Sequence, residues 1–363
     1  MNCNTSCNTT GDASDIEWPA IIAAARRLEQ GALVAFPTET VYGLGADAEN
    51  PDALAKIYAA KGRPSNHPLI VHLAPGAELA YWAVAVPAEA HRLIEAFWPG
   101  PLTLILKRAS HIPDAVAGGQ DTIGLRCPSH PVAQALLQTF RQGKGGVAAP
   151  SANKFGHVSP TTAQHVRDEF GIPPAGPVDC ILDGGQSEVG IESTILDLSR
   201  MATHGPVLLR PGHISAARIA EVIGCEPRMP DVAAPRVSGS LDAHYAPRTP
   251  VALLPASEIA GVLQSLAVLG RQAALIHYSP APALAASAGA PTHSVPARIA
   301  MPDTPEGYAH ALYAALREMD QANAAIILVE APPQDTRWHG INDRLRRAAF
   351  DSTGALSSLI DQR

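Results

Sequence analysis

The apolar run Gly31-Ala32-Leu33-Val34-Ala35-Phe36 passes directly into Pro37-Thr38-Glu39-Thr40-Val41-Tyr42-Gly43-Leu44-Gly45. A short apolar segment opened by a glycine is the pattern of a buried strand. Pro37 then ends ladder hydrogen bonding. Open α/β sheets bind ligands just beyond the carboxyl ends of such strands. The hydroxyls, carboxylate and phenol after Phe36 therefore read either as a polar turn or as the first wall of a ligand site.

The same pattern recurs along the chain. A helix is expected over Trp18 to Gln30, stopped by Gly31, and a second over Pro51 to Lys61, with proline in its first turn. That second helix runs out into Lys61-Gly62-Arg63-Pro64-Ser65-Asn66-His67-Pro68, ahead of the strand Leu69-Ile70-Val71-His72-Leu73. A lysine and an arginine around a glycine can complement the helix dipole. Following the Thr/Tyr loop, they read better as an anion site, a point charge beside a planar fork. His72 reads as a core histidine or, being close to that loop, as a ligand residue.

Trp98-Pro99-Gly100-Pro101 is a rigid turn before the strand Leu102 to Lys107. The strand Thr122 to Arg126 ends in an arginine, as does Val207 to Arg210 before Pro211-Gly212. Gly146-Val147-Ala148-Ala149-Pro150-Ser151-Ala152-Asn153 repeats the opening logic: small-residue strand, proline stop, then hydroxyl and amide. Small residues let a ligand approach the backbone closely. Ser159 or Thr161 is expected to cap the next helix. Three arginines (Arg63, Arg126, Arg210) thus fall at element ends rather than along exposed helix faces.

Composition removes several classes. The chain has 363 residues and a formal charge of −7, so no global basic bias points to nucleic acid. No apolar run reaches the roughly 18 residues of a membrane span. The start of the chain shows no secretory pattern. Cys3, Cys7, Cys127, Cys180 and Cys225 are scattered and odd in number, which argues against a disulfide framework and fits a reducing cytoplasm. No Walker loop, dinucleotide fingerprint, H-E-x-x-H, G-x-S-x-G or Cys/His metal spacing is present.

Four segments are expected. Residues 1–14 read as a disordered tail, 15–225 as the main domain, 226–248 as a linker, and 249–363 as a smaller domain. In the last, strands at Val251–Leu254, Ala273–His277 and Ala324–Val329 alternate with helices at Glu258–Leu269, Pro305–Asp320 and Ile341–Ala349. Such alternation implies a small parallel sheet. Residues 279–300 read as a Pro/Ala/Ser loop, and the cationic run Asn342 to Arg347 as a solvated helix face.

The motifs Phe36 to Gly45, Lys61-Gly62-Arg63-Pro64, Trp98 to Thr103, Ala149 to Asn153, Glu192-Ser193-Thr194 and Leu209 to Gly212 occur in the order found in the YrdC-like family. The chain resembles that family in its long, two-domain form. His244-Tyr245-Ala246-Pro247 is similar to the long form's linker signature, although Ser238 to Ala243 departs from the usual residues before it. The resemblance implies a twisted open mixed sheet with a large concave cavity, and a smaller Rossmann-like C-terminal domain. The linker is expected to lie over the cavity and regulate access.

The reaction implied is the conversion of L-threonine, bicarbonate or CO2, and ATP into L-threonylcarbamoyl-AMP and pyrophosphate. This nucleotidyl transfer would supply threonylcarbamoyladenosine modification of tRNA. Carried over residue by residue, Thr38, His72, Arg126, Ala149 and Ser193 would bind L-threonine. ATP would be held by Arg63, His67, Thr122, Ser151, Asn153, Ser159, Arg210 and Tyr245. His67 stands where members have an amide, and an imidazole can still donate a hydrogen bond there. Lys61, Arg63 and Arg210 would stabilise charge on the phosphates. Mg²⁺ would arrive on ATP or pyrophosphate, with no metal ligand from protein side chains. Downstream tRNA threonylcarbamoyl transferase proteins are the implied partners, with weak RNA binding and no membrane.

Overall fold

A computed structural model describes residues 16–239, 241–279, 295–352 and 354–361 of the chain. The expected disordered tail and most of the 279–300 loop lie outside the described residues. The chain divides into two compact units. Residues up to Phe155, with Ser159 through the 230s, form one; Gly156–Val158, with Leu241 onward, form the other. The division falls inside the expected linker.

The first unit is built on ten described strands in one mixed sheet. They are β1 (Val34–Phe36), β2 (Gly43–Asp47), β3 (Ile70–Leu73), β4 (Ala83–Val84), β5 (Leu102–Arg108), β6 (Thr122–Arg126), β7 (Gly146–Ala148), β8 (Cys180–Ile181), β9 (Thr194–Asp197) and β10 (Val207–Arg210). Their order is β10-β9-β5-β6-β3-β7-β2-β1-β8, with β4 on β5. β9/β5, β6/β3 and β1/β8 are parallel, and the other pairs along the path are antiparallel.

Gly43–Asp47 is a strand rather than the tail of a loop, a departure from the sequence reading. It returns antiparallel to β1, pairing Gly43 with Phe36 and Gly45 with Val34. Apolar strand faces pack under the helices at Pro51–Lys61, Ala88–Phe97, Ala163–Phe170 and Ala216–Ile223, where Leu54, Ile57, Leu93, Val166 and Ile219 join Leu44, Val71, Leu104 and Leu125 in one core. The helices at Ala88–Phe97 and Ala216–Ile223 add to those expected from sequence.

Two local signals set up the site. The helix Pro51–Lys61 starts where Asn50 Oδ1 accepts the backbone N–H groups of Asp52 and Ala53. It stops at Gly62, which adopts φ +61°, the left-handed conformation that glycine takes without strain. Lys61 and Arg63 are thereby turned off the end of a packed helix. The helix after Ser159 is capped by Thr162, whose hydroxyl accepts from His165 N, and not by Ser159 or Thr161.

Residues 236–238 lie across β3, β5 and β6 within the first unit. Val237 is buried with Ile105, Ile195, Val207 and Leu209. The Gln120 side chain accepts from Arg236 N at 2.8 Å and donates to Arg236 O at 3.0 Å. The space beneath is lined in part by Thr122, Arg236, Val237 and Ser238.

The second unit holds β11 (Val251–Leu254), β12 (Ala273–His277), β13 (Arg298–Ala300) and β14 (Ile326–Glu330), all parallel, in the order β11-β14-β12-β13. The parallel sheet agrees with the alternating pattern, whereas β13 occupies the end of the expected 279–300 loop. The run at 342–347 is not a solvated face. Arg344 is fully buried, and the Asp343 carboxylate receives Arg344, Arg346 and Arg347 at 3.0–3.1 Å.

Candidate active site

Lys61 is 3 % exposed. Its Nζ donates to Ser151 O at 2.6 Å and to Asn153 O at 2.5 Å. One helix end is thus clamped to the loop after β7, which carries two of the expected nucleotide residues. Burial pushes the Lys61 ammonium well below the usual lysine value, and the neighbouring Arg63 guanidinium pushes the same way. Arg63 donates from Nη2 to Pro68 O at 3.0 Å and lies 5.7 Å from the Phe155 ring centre. His67 meets the same ring edge-on at 5.4 Å. Burial, then Arg63, lowers its pKa, which favours the uncharged imidazole.

Arg210 ends β10 with its guanidinium almost wholly buried. Nε and Nη2 both donate to Ser193 O, at 3.0 and 2.9 Å, and Nη1 donates to Ser238 O at 2.8 Å. Ser193 Oγ lies 3.1 Å from Arg210 Nη2 and 2.7 Å from Thr103 Oγ1. Next to Ser193, Glu192 accepts the Ser159 hydroxyl at 2.6 Å. Ser159 therefore serves the site's hydrogen bonding rather than a helix cap.

On the other side of the sheet path, His72 of β3 pairs in register with Arg126 of β6. Burial, and then the Arg126 charge, push the His72 imidazole down to about 3, so it is neutral at physiological pH. Arg126 Nη2 lies 2.8 Å from Glu39 Oε1, and both side chains are buried. Glu39 Oε2 accepts Ser129 N at 3.1 Å. Thr38 Oγ1 donates to Val41 O at 2.6 Å and sits 2.8 Å from Thr40 Oγ1, so its hydroxyl folds the loop. Ala149 N donates to Ile70 O, which fixes the small-residue turn beside β3.

Thr38, His72, Arg126, Ala149 and Ser193 therefore share the first unit with Lys61, Arg63, His67, Thr122, Ser151, Asn153, Ser159 and Arg210, on elements that are hydrogen-bonded or in register. Tyr245 belongs to the second unit. There its ring stacks on Tyr313 at 5.7 Å and lies 5.5 Å from the Arg344 guanidinium, with a backbone φ of +62°. Three contributors escape the sequence reading: Glu39, Thr103 and Glu192. Each stands inside a motif, but its partner lies about 90 or 30 residues away, and no local pattern reveals such a pairing.

A family model described as "Sua5_yciO_yrdC: Telomere recombination" matches residues 26–212. Another, described as the C-terminal domain of threonylcarbamoyl-AMP synthase, matches residues 214–350. Threonylcarbamoyl-AMP synthase of Pyrococcus abyssi is 36 % identical over 344 residues, covering 92 % of this chain and 94 % of the relative. The Bacillus subtilis protein of the same name is 38 % identical over 338 residues, with 91 % and 93 % covered. The crystal structure of P. abyssi Sua5 complexed with L-threonine superposes with a TM-score of 0.82 at 36 % identity, covering 92 % of this chain and 95 % of that one. With a mixed-sheet unit carrying the motif residues and a small parallel-sheet unit after it, this chain belongs to the Sua5/YciO/YrdC family in its two-domain form.

Proposed function

We propose that the chain makes L-threonylcarbamoyl-AMP and pyrophosphate from L-threonine, bicarbonate or CO2, and ATP, for threonylcarbamoyladenosine modification of tRNA. One observation carries this reading. Lys61, Arg63, Arg126 and Arg210 are each 2–5 % exposed and all lie in the first unit. Cations held in a low-dielectric site attract an anionic ligand more strongly than they would in water. A triphosphate is such a ligand, and its charge would favour the ammonium form of Lys61 against burial and the Arg63 guanidinium.

In the proposed reaction the uncharged threonine amine bonds to the carbon of CO2 and gives up one N–H proton to solvent, forming a carbamate; starting from bicarbonate, the net by-product of this step is water. A carbamate oxygen then bonds to the α-phosphorus of ATP as the bond to pyrophosphate breaks. Negative charge grows on the phosphate oxygens, which Lys61, Arg63 and Arg210 are suited to stabilise. Thr38, His72, Arg126, Ala149 and Ser193 hold L-threonine in this reading. His67, Thr122, Ser151, Asn153, Ser159 and Tyr245 hold the nucleotide with the arginines. Fixed placement of two substrates supplies much of the acceleration.

Among the described residues no three His, Cys, Asp or Glu side chains are grouped to hold a metal ion. Mg²⁺ enters this reading only as a companion of the ATP phosphates, and no step here depends on it. Passage of the product to tRNA threonylcarbamoyl transferase proteins, weak RNA binding, cytoplasmic location and control of access by the 226–248 segment belong to the same proposal. No described helix is long and apolar enough to cross a membrane.

The test is pyrophosphate release from ATP and bicarbonate, with and without L-threonine and with L-serine as control. Release that requires L-threonine is expected. Release independent of it, or none from folded protein, would overturn the reading.

A further inference from the structure

The second unit carries a crevice that the reaction of the first does not use. Its four described strands are parallel, in the order β11-β14-β12-β13. β12 is followed in the chain by its neighbour β13, whereas β14 is followed by the helix His339–Ala348, which packs against β11 on the other side. Adjacent parallel strands whose exits diverge open a crevice at their carboxyl ends, where such sheets bind ligands. A cavity of about 540 Å³ lies at this end of the sheet. It is lined by His277, Tyr278 and Ser279 at the end of β12, and by Arg298, Met301 and Asp303 on and after β13. Its size is that of sites for small organic ligands.

Buried groups hold this wall in place. Glu330, at the end of β14, accepts Tyr278 N at 2.9 Å, Ser279 N at 3.0 Å and the Ser279 hydroxyl. His277, also buried, donates from Nδ1 to Ser279 O at 3.1 Å and accepts Arg298 Nε on Nε2 at 2.8 Å. Both ring nitrogens are thus used, and the histidine orients the arginine. Arg298 is exposed on a strand at the sheet edge. A charge there protects the edge in any orientation, so that role does not need the His277 contact. Nη1 and Nη2 of Arg298 have no partner among the described residues. They form the edge of the guanidinium that matches two oxygens of a phosphate or carboxylate. Tyr278 packs against Trp338 and Tyr308, with ring centres 6.1 and 6.4 Å apart. The fully buried Tyr308 hydroxyl has no hydrogen-bond partner among the described residues. Buried polar groups are nearly always satisfied, so an unused donor stands next to the crevice.

We propose that this crevice is a second ligand site, and that it takes a mononucleotide: phosphate on Arg298, ribose hydroxyl on Asp303, base against Tyr278. The guanidinium calls for an oxyanion. The Asp303 carboxylate disfavours a second anionic group and accepts from hydroxyls, so the ligand carries its charge at one end. The Tyr278 ring and the size of the cavity suit a heterocycle better than a small amino acid. The site stands apart from the L-threonylcarbamoyl-AMP reading and does not depend on it.

Photolabelling of the full-length chain with 8-azidoadenosine 5′-monophosphate, followed by peptide mapping, tests this. Label is expected on a peptide containing Tyr278 or Met301, beside any label in the first unit. Label confined to the first unit would overturn the proposal. Arg298→Ala should lower second-unit labelling by about tenfold or more, with first-unit labelling and pyrophosphate release unchanged. Undiminished second-unit labelling in this variant would also overturn it. If Arg298→Ala does not fold, Arg298→Lys keeps the charge without the paired edge and should show the same direction of loss; labelling equal to wild type there would count against the site. Unlabelled AMP should protect the second-unit peptide at about tenfold lower concentration than inorganic phosphate does. Equal protection by phosphate, or protection by L-threonine in place of AMP, would overturn the mononucleotide assignment.

Discussion

The ammonium of Lys61 and the carbonyl of Asn153 are joined at 2.5 Å across 92 residues of sequence, with a second bond to Ser151 O at 2.6 Å. The end of one helix and the loop after β7 are thus a single mechanical piece. Lys61→Ala should leave both carbonyls without this donor and cost about 1–3 kcal/mol of stability. Thermal melts and pyrophosphate release would read this, the latter falling by about tenfold or more. Equal stability and turnover in the variant would contradict the clamp.

His72 makes a pH prediction. Its folded value, about 3, lies below the unfolded histidine value of roughly 6.5. The unfolded chain therefore binds the proton first as pH falls. Stability should drop by about 1.4 kcal/mol per pH unit on this account between roughly 6.5 and 3, and the contribution is constant above that window. Denaturant melts of wild type and His72→Asn across this range check the sign: the variant should fall off less steeply.

Arg210 spans Ser193 and Ser238 with three of its nitrogens. A lysine offers one ammonium and cannot reproduce the fork. Arg210→Lys should lower kcat for pyrophosphate release by about tenfold or more. Thr103→Val removes only the 2.7 Å partner of Ser193 Oγ and should cost about 1 kcal/mol, with a few-fold rise in KM for L-threonine. A larger effect from Thr103→Val than from Arg210→Lys would reverse this ranking.

Gly212 follows Arg210 and Pro211 where the chain turns against β9. A Cβ there would stand 2.5 Å from Thr194 N and 2.8 Å from Glu192 O, both backbone atoms that cannot step aside. Gly212→Ala should destabilise by about 1–3 kcal/mol and shift the Arg210–Ser193 contact, reducing turnover as well as melting temperature.

In the second unit, Asp343 is the shared carboxylate of Arg344, Arg346 and Arg347. Asp343→Asn should remove the shared counter-charge of two buried guanidiniums and cost about 3–5 kcal/mol. Arg346 is more than half exposed, so Arg346→Ala should change stability by under about 1 kcal/mol. Comparable effects from the two substitutions would mean that the pairs are not coupled through Asp343.

Where the signal is local, the chain is legible. Pro51–Lys61 carries its own cap, its proline and its stop at Gly62, and Pro305–Asp320 is capped by Thr304 accepting from Gly307 N. Strands such as Thr122–Arg126 and Ala273–His277 are apolar runs bounded by polar residues. Gly43–Asp47 is hidden because glycines disfavour strands by propensity. Gly45 is there because Phe36, Val147 and the Val34 carbonyl leave no room for a Cβ, a contact among three strands. The burial of Arg344 is equally illegible, since a charged helical run looks the same whether it faces water or a shared carboxylate.

Local sequence is enough to mark helices such as Pro51–Lys61, the alternation in the second unit and the placing of Lys61, Arg63, Arg126 and Arg210 at element ends, because caps, stops and apolar periods act within a few residues. That Glu39 meets Arg126, that Thr103 meets Ser193 and that Lys61 reaches Asn153 is settled by the folded chain alone. Those pairings depend on strand order and register, which arise from packing the whole sheet and leave no trace in the spacing of residues.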